Sequence, residues 1–335
     1  MLRIATRRSA LARAQAFQTG QLLQVRTGEP FELVPLATTG DLHPDRAVGD
    51  FDTKGLFVDA IRAAVLDGDC DVAVHSFKDL PSDPVDGLAV AAVPPREDPR
   101  DVLVSRDGAV LSTLADTATV GTSSQRRRLQ LLRARPGLSV LPLRGNLDTR
   151  LRRVADGELD AVVVAFAGLR RLYRPEAEGG VGALGLPLTA APLEPGECLP
   201  AAAQGALALE CRADDDRVRG LLAAVDDPAT HAAVRAERAF LEALGGGCLA
   251  PVGALATLVE PQVLELAGAL ADPIHRRVLR QSHRGPRAAP EAVGRELAAR
   301  VVDAGGAAIL ESIATVRRRR GGAGASTREA GEVAH

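Results

Sequence analysis

The sequence predicts an α/β protein with two similar α/β domains around a cleft and a small α+β domain at the C-terminal end. Residues 63–74 and 152–163 match each other, and each segment is typical of a helix end, an Asp-Gly stop and a buried strand. Proline-rich stretches at 94–100 and 192–200 indicate two crossings between these domains. Chance similarity between α/β units is the alternative to a true repeat.

The first domain is predicted over residues 1–95 and 203–218. It begins with a strand, Leu2 to Thr6, and Ser9 is a suitable N-cap for the helix after it. A 3.6-residue apolar stripe predicts a second helix that stops at Asp67, and a buried strand follows at 71–76. Residues 204–210 are expected to return to this domain as a strand, and residues 43–52 to form a mobile loop over the cleft.

The second domain is predicted over residues 100–199. A short strand at Val120 runs into Ser123 and Ser124, which are suitable for a helix N-terminus. Further strands are expected at 140–143 and 161–165, with a Gly-Asn turn and a helix between them.

The third domain is predicted over residues 226–316. A helix from His231 to Leu244 leads into Gly245-Gly246-Gly247-Cys248. Three alternating segments near 250–257, 264–270 and 277–282 predict strands, and a last helix is expected over 290–303. The Arg-rich tail, 317–335, is expected to be disordered.

Composition narrows the functional classes. The chain has 335 residues, 46% hydrophobic and 2% aromatic, with a net charge of −2. Nucleic-acid binding would favour a positive chain with aromatic stacking platforms, so we expect no nucleic-acid partner. Four cysteines without paired spacing argue for the reducing cytoplasm and against a structural zinc site. No apolar run reaches the roughly 18 residues of a membrane span.

The strand at 71–76 stops at Lys78 and Asp79. Open α/β sheets bind their ligands at the carboxyl ends of strands, so these side chains should lie in the cleft. The chain has only two lysines, Lys54 and Lys78, and otherwise uses arginine. A neighbouring cation favours the ionised form of Asp79. A fixed anion there suits the stabilisation of a cation that forms during a reaction.

A set of arginines is predicted at strand ends and helix N-termini facing the cleft: Arg7, Arg126, Arg127, Arg144, Arg150 and Arg171. Cations oppose the helix dipole at an N-terminus, so a structural reason for Arg126 and Arg127 is not expected. Guanidinium groups bind carboxylates in a bidentate manner. The set therefore indicates a ligand with many carboxylates or phosphates, and ordinary surface arginine is the alternative.

Cys248 and Lys54 are further candidates. Three glycines before Cys248 hold its thiol away from a packed core and allow a bulky group to approach. Lys54 opens a helix, where a cation again suggests an anionic ligand. Cys70 and Cys211 lie in apolar strands and are expected to be inert, and His75 is expected to be a structural hydrogen-bonder. The role of Cys198 stays open.

These blocks together resemble the porphobilinogen deaminase (hydroxymethylbilane synthase) family, from Arg3 to about Ala314. The matching motifs are Arg3 to Arg7, Lys54 to Phe57, His75 to Asp79, Arg96 to Asp101, Gly121 to Ser124, Leu143 to Asn146, Gln204-Gly205 and Gly246 to Cys248.

The resemblance implies a cytoplasmic transferase of haem biosynthesis. It would join four porphobilinogen molecules head to tail into hydroxymethylbilane and release four ammonia molecules. The implied cofactor is dipyrromethane, held by a thioether to Cys248, and the implied catalytic residues are Asp79 and Lys78. The implied fold has two periplasmic-binding-protein-like domains. A monomer that transiently hands its product to the next pathway enzyme is expected, with no membrane partner. The residues implied to bind cofactor and substrate are Arg7, Ser9, Lys54, Thr122, Ser123, Ser124, Arg126, Arg127, Arg144, Gly145, Arg150, Arg171 and Gln204.

Some positions depart from the family pattern. Ala203 stands where a glycine is frequent, and Phe77 where a methionine is common. Neither removes an implied catalytic group. The alternative function is a cytoplasmic anion-binding module with the same cleft and no catalysis, which needs neither Cys248 nor a third domain.

Overall fold

The computed structural model describes residues 1–37, 58–173, 186–246 and 250–316, and within them the chain forms three sheets. The first sheet has the strand order β2-β1-β3-β10-β4. Its strands are β1 (Leu2–Arg7), β2 (Phe31–Leu36), β3 (Val72–Ser76), β4 (Leu88–Ala92) and β10 (Leu207–Arg212). The helices of this first unit are α1 (Ala10–Thr27), α2 (Asp59–Leu66) and α6 (Asp216–Ala223), with a 3₁₀ turn at Phe77–Asp79.

The second sheet has the order β7-β6-β8-β5-β9. Its strands are β5 (Asp101–Ser105), β6 (Thr119–Gly121), β7 (Ser139–Leu141), β8 (Ala161–Ala165) and β9 (Thr189–Pro192). The helices of this second unit are α3 (Gln125–Ala134), α4 (Leu147–Ala155) and α5 (Phe166–Tyr173).

The first two sheets share one topology. In each, a central strand pairs in parallel with two others, β1 with β2 and β3, and β6 with β7 and β8. The fourth strand in the order of each sheet, β10 in the first and β5 in the second, is antiparallel to both of its neighbours. Each of these strands directly follows a crossing between the two units. The predicted fold class of two similar α/β units is therefore confirmed.

The third sheet is a meander of three long antiparallel strands, β11 (Val252–Glu260), β12 (Val263–Ala271) and β13 (Val278–Pro286). The helices α7 (Pro228–Ala243) and α8 (Pro290–Val301) complete this third unit. A π turn, Val302–Gly306, leads from α8 into a last helix, α9, over residues 307–316. Phe240, Leu266 and Leu297 are fully buried in its core. We propose that the three units are the three domains expected from the sequence.

The end of the first domain and the start of strand β10 differ from the sequence expectation. The first domain was expected to end at residue 218, but Val218 and Leu222 of α6 are buried in the first core, so this unit continues to Ala223. Strand β10 begins at Leu207 instead of 204 because the backbone turns at Ala203 and Gly205, which have φ of 59° and 89°. The second crossing therefore extends from the end of β9 to Ala206. The common glycine at position 203 would adopt that conformation without strain.

Glu237 of α7 ties the third unit to both crossings. It is fully buried, and its carboxylate accepts hydrogen bonds from Arg96 Nη1 at 2.6 Å and from Arg96 Nη2 at 3.0 Å. It also accepts the backbone N–H of Ala203 at 2.6 Å and that of Ala256 on β11 at 2.8 Å. Because every acceptor position is used, the buried charge is fully compensated.

The expected mobile loop and the tail lie outside the described residues. In the described part of the chain, no helix is long and apolar enough to cross a membrane.

A buried ion cluster lies inside the first unit. Glu210 on β10 accepts hydrogen bonds from Arg62 of α2 at 2.9 and 2.7 Å, and it lies 3.1 Å from His75 Nε2 on β3. Burial by itself raises the pKa of Glu210, but the neighbouring His75 and Arg62 outweigh it and lower the pKa to about 2. His75 Nε2 is buried beside this carboxylate without a well-aligned hydrogen bond, so the expected role of His75 as a structural hydrogen-bonder stays a prediction.

We expect Glu210→Gln to lower the free energy of unfolding by about 3 kcal/mol at pH 7, because it leaves Arg62 buried without its carboxylate. Since the folded pKa lies below the ordinary value of 4.5, this stabilisation should be present above pH 4.5 and disappear as pH falls toward 2. Urea unfolding from pH 7 to pH 3 measures it. The control is Glu158→Gln, in an exposed pair with Arg153, for which a change under about 0.5 kcal/mol is expected. Equal losses in both variants would contradict the assignment.

Candidate functional site

The turn after β3 presents Asp79 at the carboxyl edge of the first sheet. Phe77 and Leu80 are buried, and Leu80 N–H donates to Phe77 O at 3.2 Å, which closes the turn. The backbone N–H of Phe77 donates to Ala206 O at 3.1 Å, so the turn is also attached to the second crossing. Asp79 is exposed, whereas Lys78 is half-buried and its Nζ donates to Gln204 Oε1 at 3.3 Å.

Asp101, the first residue of β5, is the centre of a buried network. Its side chain is fully buried, and Oδ2 lies 2.6 Å from Arg126 Nη1. Oδ1 accepts from Arg127 Nε at 3.0 Å, from Arg127 Nη2 at 2.8 Å and from Gln204 Nε2 at 2.8 Å. Burial by itself raises the pKa of Asp101, but Arg126 and Arg127 outweigh it and hold the pKa far below its usual range.

Arg126 and Arg127 thus have a structural reason to stand in the first turn of α3, contrary to the sequence expectation. Arg126 Nη1 also donates to Leu199 O at 2.6 Å in the second crossing, and Arg127 Nη1 donates to Val163 O at 3.1 Å on β8. A shared buried carboxylate outweighs the unfavourable helix dipole, which is worth about 1 kcal/mol at most positions. Both guanidinium groups are buried, with exposures of 5% and 7%.

The predicted hydroxyl residues form the turns that begin two helices. Ser124 is the N-cap of α3 and accepts the N–H of Arg127, and Thr122 Oγ1 accepts the N–H of Ser124 at 3.3 Å. Ser123 Oγ donates to Leu143 O at 2.6 Å and accepts Leu143 N–H at 3.0 Å, which joins this turn to the end of β7. Ser9 is the N-cap of α1, as expected.

Four more predicted residues follow β7 and β8. Arg144 is exposed, and Gly145 has a φ of 104°, which favours glycine. Arg150 Nε on α4 donates to Gly145 O at 2.9 Å, and burial together with the charge of Arg127 lowers the pKa of Arg150. Arg171 Nη2 on α5 donates to Gly205 O at 2.7 Å across the two units, and burial lowers its pKa to about 10.

The structure therefore joins Lys78, Gln204, Arg126 and Arg127 into one network through Asp101. Arg7 lies at the end of β1, half-buried beside the N-cap of α1. Lys54 and Cys248 lie outside the described residues, and their roles stay predictions. Cys198, whose role the sequence left open, is buried against Asp101, and burial raises the pKa of its thiol to about 12.

Sequence reasoning missed Asp101, Glu237 and Arg238 as residues of this site. Asp101 is the last residue of the Arg96 to Asp101 motif. The signal that could have identified it is the need of two adjacent arginines, Arg126 and Arg127, for an acidic partner. Glu237 and Arg238 are consecutive on α7 and contact the site from the third unit. No local pattern in the sequence marks them.

The charges of this site fit a ligand with several carboxylates. Among the described residues of this site, four cations, Lys78, Arg126, Arg127 and Arg150, lie near two carboxylates, Asp79 and Asp101. Burial is the main cause that lowers the pKa of Lys78 and Arg150, and the charge of Arg127 lowers both further, which shows that the positive charges repel one another. Anionic groups bound between them would relieve this repulsion. The acetate and propionate groups of dipyrromethane and porphobilinogen, the ligands that the resemblance implies, are of this kind.

Comparison with known families covers most of the chain. Residues 2–220 match "Porphobilinogen deaminase, dipyromethane cofactor binding domain", and residues 231–303 match "Porphobilinogen deaminase, C-terminal domain". The chain is 47% identical over 335 residues to a porphobilinogen deaminase of Nocardia farcinica, covering 97% of the chain and 92% of the relative. It is 45% identical over 316 residues to that of Acidothermus cellulolyticus, covering 93% and 92%.

Among solved structures, the chain is similar to the periplasmic VFT2 domain of Bordetella pertussis BvgS. That match has a TM-score of 0.37 and 20% identity, and it covers 67% of this chain and 86% of the other. A periplasmic binding protein of Salmonella typhimurium with high arginine specificity matches with a TM-score of 0.34 and 12% identity, covering 67% and 91%.

We expect Lys78 to titrate below the ordinary lysine value of 10.5, because burial and the charges of Arg127 and Arg126 outweigh the attraction of Asp79. The chain has only two lysines, so ¹³Cε-lysine labelling gives two NMR signals, and Lys54→Arg assigns them. Asp79→Asn should lower the pKa of Lys78 further, since it removes the charge that raises it. A Lys78 signal that titrates at or above 10.5 would contradict the described electrostatics.

Proposed function

The chain belongs to the porphobilinogen deaminase family, and we propose which of its residues carry out the reaction. The enzyme is a transferase of porphyrin biosynthesis. It deaminates four porphobilinogen molecules and joins them head to tail into hydroxymethylbilane. Its cofactor is dipyrromethane, which when bound would supply a nucleophilic pyrrole for chain growth.

We assign the catalytic carboxylate to Asp79, and the exposure of this anion at the edge of a cationic site is the observation that carries the assignment. When ammonia leaves porphobilinogen, positive charge develops on the pyrrole ring and its N–H. A carboxylate fixed beside that N–H accepts its hydrogen bond and stabilises the charge. The buried side chains of Phe77 and Leu80 fix the turn, so Asp79 needs little reorganisation during the reaction.

Lys78 is proposed to act beside Asp79. Its Nζ is held by Gln204 Oε1 at 3.3 Å, which orients the ammonium group. A bound carboxylate would raise the lowered pKa of Lys78 and keep it charged. Lys78, oriented by Gln204, thus holds one acidic side chain of the pyrrole while Asp79 faces the ring N–H. We also assign to Lys78 the donation of a proton to the substrate amine, which then leaves as ammonia; Lys78 regains a proton from the one that bond formation between the pyrroles releases.

The remaining acidic groups are assigned to the arginine set. Arg144 is exposed and Arg150 is half-buried, which suits direct pairing with acetate and propionate groups. Arg126 and Arg127 keep their bonds to Asp101 and contribute positive charge to the site. Arg171 and Arg7 are proposed to line the cleft at the junction of the two units, and the sequence assigns Lys54 to the same lining. The turns that place these groups are formed by Ser9, Thr122, Ser123, Ser124 and Gly145.

We propose that Cys248 holds the dipyrromethane through a thioether. Support comes from the chemistry of the other three cysteines, which are buried free thiols in the described part of the chain. Burial raises the pKa of each, so thiolate formation is disfavoured at Cys70, Cys198 and Cys211. Cys248 follows three glycines in the sequence, which favours the approach of a bulky group.

We also propose that the enzyme works as a cytoplasmic monomer that hands hydroxymethylbilane to the next enzyme of the pathway. Unpaired thiols at three buried positions suit a reducing compartment.

The intact mass under denaturing conditions tests the proposed site. Wild-type protein should carry an excess equal to two deaminated porphobilinogen units, and Cys248→Ser should lack it. Cys211→Ser is the matched control, since that thiol is buried in the first core, and it should keep the excess. An adduct that persists in Cys248→Ser would overturn the attachment site.

Turnover is followed in the same preparations. The wild type should release four ammonia molecules for each tetrapyrrole formed, and Asp79→Asn should lower kcat by about 10² to 10³, because one transition-state charge interaction is lost. Unmodified wild-type protein that gains no adduct from porphobilinogen would contradict the function itself.

A further inference from the structure

We propose that Arg238, on α7 of the third unit, is a positioning residue that holds the catalytic turn and thereby places Asp79. This inference rests on the proposed role of Asp79, and it assigns to the third unit a part in catalysis beyond carrying the cofactor loop.

The guanidinium of Arg238 binds the backbone of the turn on which Asp79 lies. Nη1 donates to Phe77 O at 3.3 Å and to Leu80 O at 2.9 Å, and Nη2 donates to Pro81 O at 2.9 Å. The carbonyls bound are those on either side of Asp79 along the chain. Arg238 therefore restrains the backbone both before and after the catalytic carboxylate.

An arginine suits this place for two reasons. The carbonyls at the end of a short helical turn lack partners within the turn and carry partial negative charge, and a planar guanidinium donates to several of them at once. Its central carbon also lies 4.7 Å from the centroid of the Phe77 ring, in a cation–π arrangement. A lysine has a point charge and could not reproduce both contacts.

Packing reinforces these bonds. Phe77 and Leu80 belong to the same buried cluster as Val234, which lies one helical turn before Arg238 on α7. The neighbour of Arg238, Glu237, fixes α7 to both crossings through Arg96 and the N–H of Ala203. The turn is thus held against a helix whose own position is fixed by a buried carboxylate.

The same helix leads to the cofactor segment. Helix α7 ends at Ala243, five residues before Cys248 in the chain. The helix that contacts the turn carrying Asp79 therefore ends close in sequence to the proposed attachment residue. A displacement of Asp79 by about 1 Å on loss of Arg238 is expected to cost roughly 10²-fold in rate.

The test compares Arg238→Ala and Arg238→Lys with Arg235→Ala. Arg235 is one turn earlier on α7, is 52% exposed and pairs with Glu291, so its removal controls for a lost arginine on the same helix. Rates are expressed per molecule that carries the cofactor by intact mass, which removes effects on folding and loading. Arg238→Ala should lower kcat about 10- to 100-fold with KM changed less than about threefold. Arg238→Lys should lie between Arg238→Ala and wild type, and Arg235→Ala should match wild type.

Coupling to Asp79 separates positioning from a structural role. In an Asp79→Glu background, whose carboxylate is already displaced, Arg238→Ala should lower kcat by less than about twofold, because the two changes act on the same group. Multiplicative losses would show that Arg238 acts independently of Asp79 and would overturn the inference. If Asp79→Glu is slow but both Arg238 variants keep the wild-type kcat, the inference about Arg238 would also be overturned. Wild-type kcat in Asp79→Glu itself would instead overturn the proposed role of Asp79.

Discussion

One buried carboxylate, Asp101, joins the parts of this protein that must act together. It stands where the first crossing enters the second sheet, and it binds Arg126 and Arg127 of α3 and Gln204 of the second crossing. Gln204 in turn accepts a hydrogen bond from Lys78, which precedes Asp79, the proposed catalytic carboxylate. Burying a guanidinium group costs several kcal/mol, and the shared carboxylate offsets part of that cost for both arginines, so removal of Asp101 would leave two buried charges without their carboxylate partner.

The network also explains how the site treats its ligands. Asp101 neutralises one of the two buried arginines, which leaves a surplus of positive charge around an exposed Asp79. In the proposed function, acetate and propionate groups pair with the surplus cations, and the ring N–H faces the exposed carboxylate of Asp79. Binding and catalysis would then use charges of opposite sign, and neither would compete with the other for its partner.

The sequence was sufficient for the local part of this arrangement. Apolar periodicity and helix capping located β1, β3 and β8 and the helix starts at Ser9 and Ser124, because these signals depend on residues within a few positions. The partners of the arginines were not predictable in this way. Asp101 is 25 residues from Arg126, and Arg238 binds a carbonyl 158 residues away, so only the tertiary fold brings them together. The roles of Lys54 and Cys248 rest on the sequence alone.

Differential scanning calorimetry of Asp101→Asn, beside the exposed-pair control Asp116→Asn, tests most directly whether this carboxylate couples the units. Asp116 pairs with Arg135 and is 87% exposed. We expect one cooperative transition for the wild type and the control, and at least two separated transitions at lower temperature for Asp101→Asn, because the crossings and α3 lose their common partner. A single transition for Asp101→Asn within about 2 °C of the control would contradict the central role of Asp101.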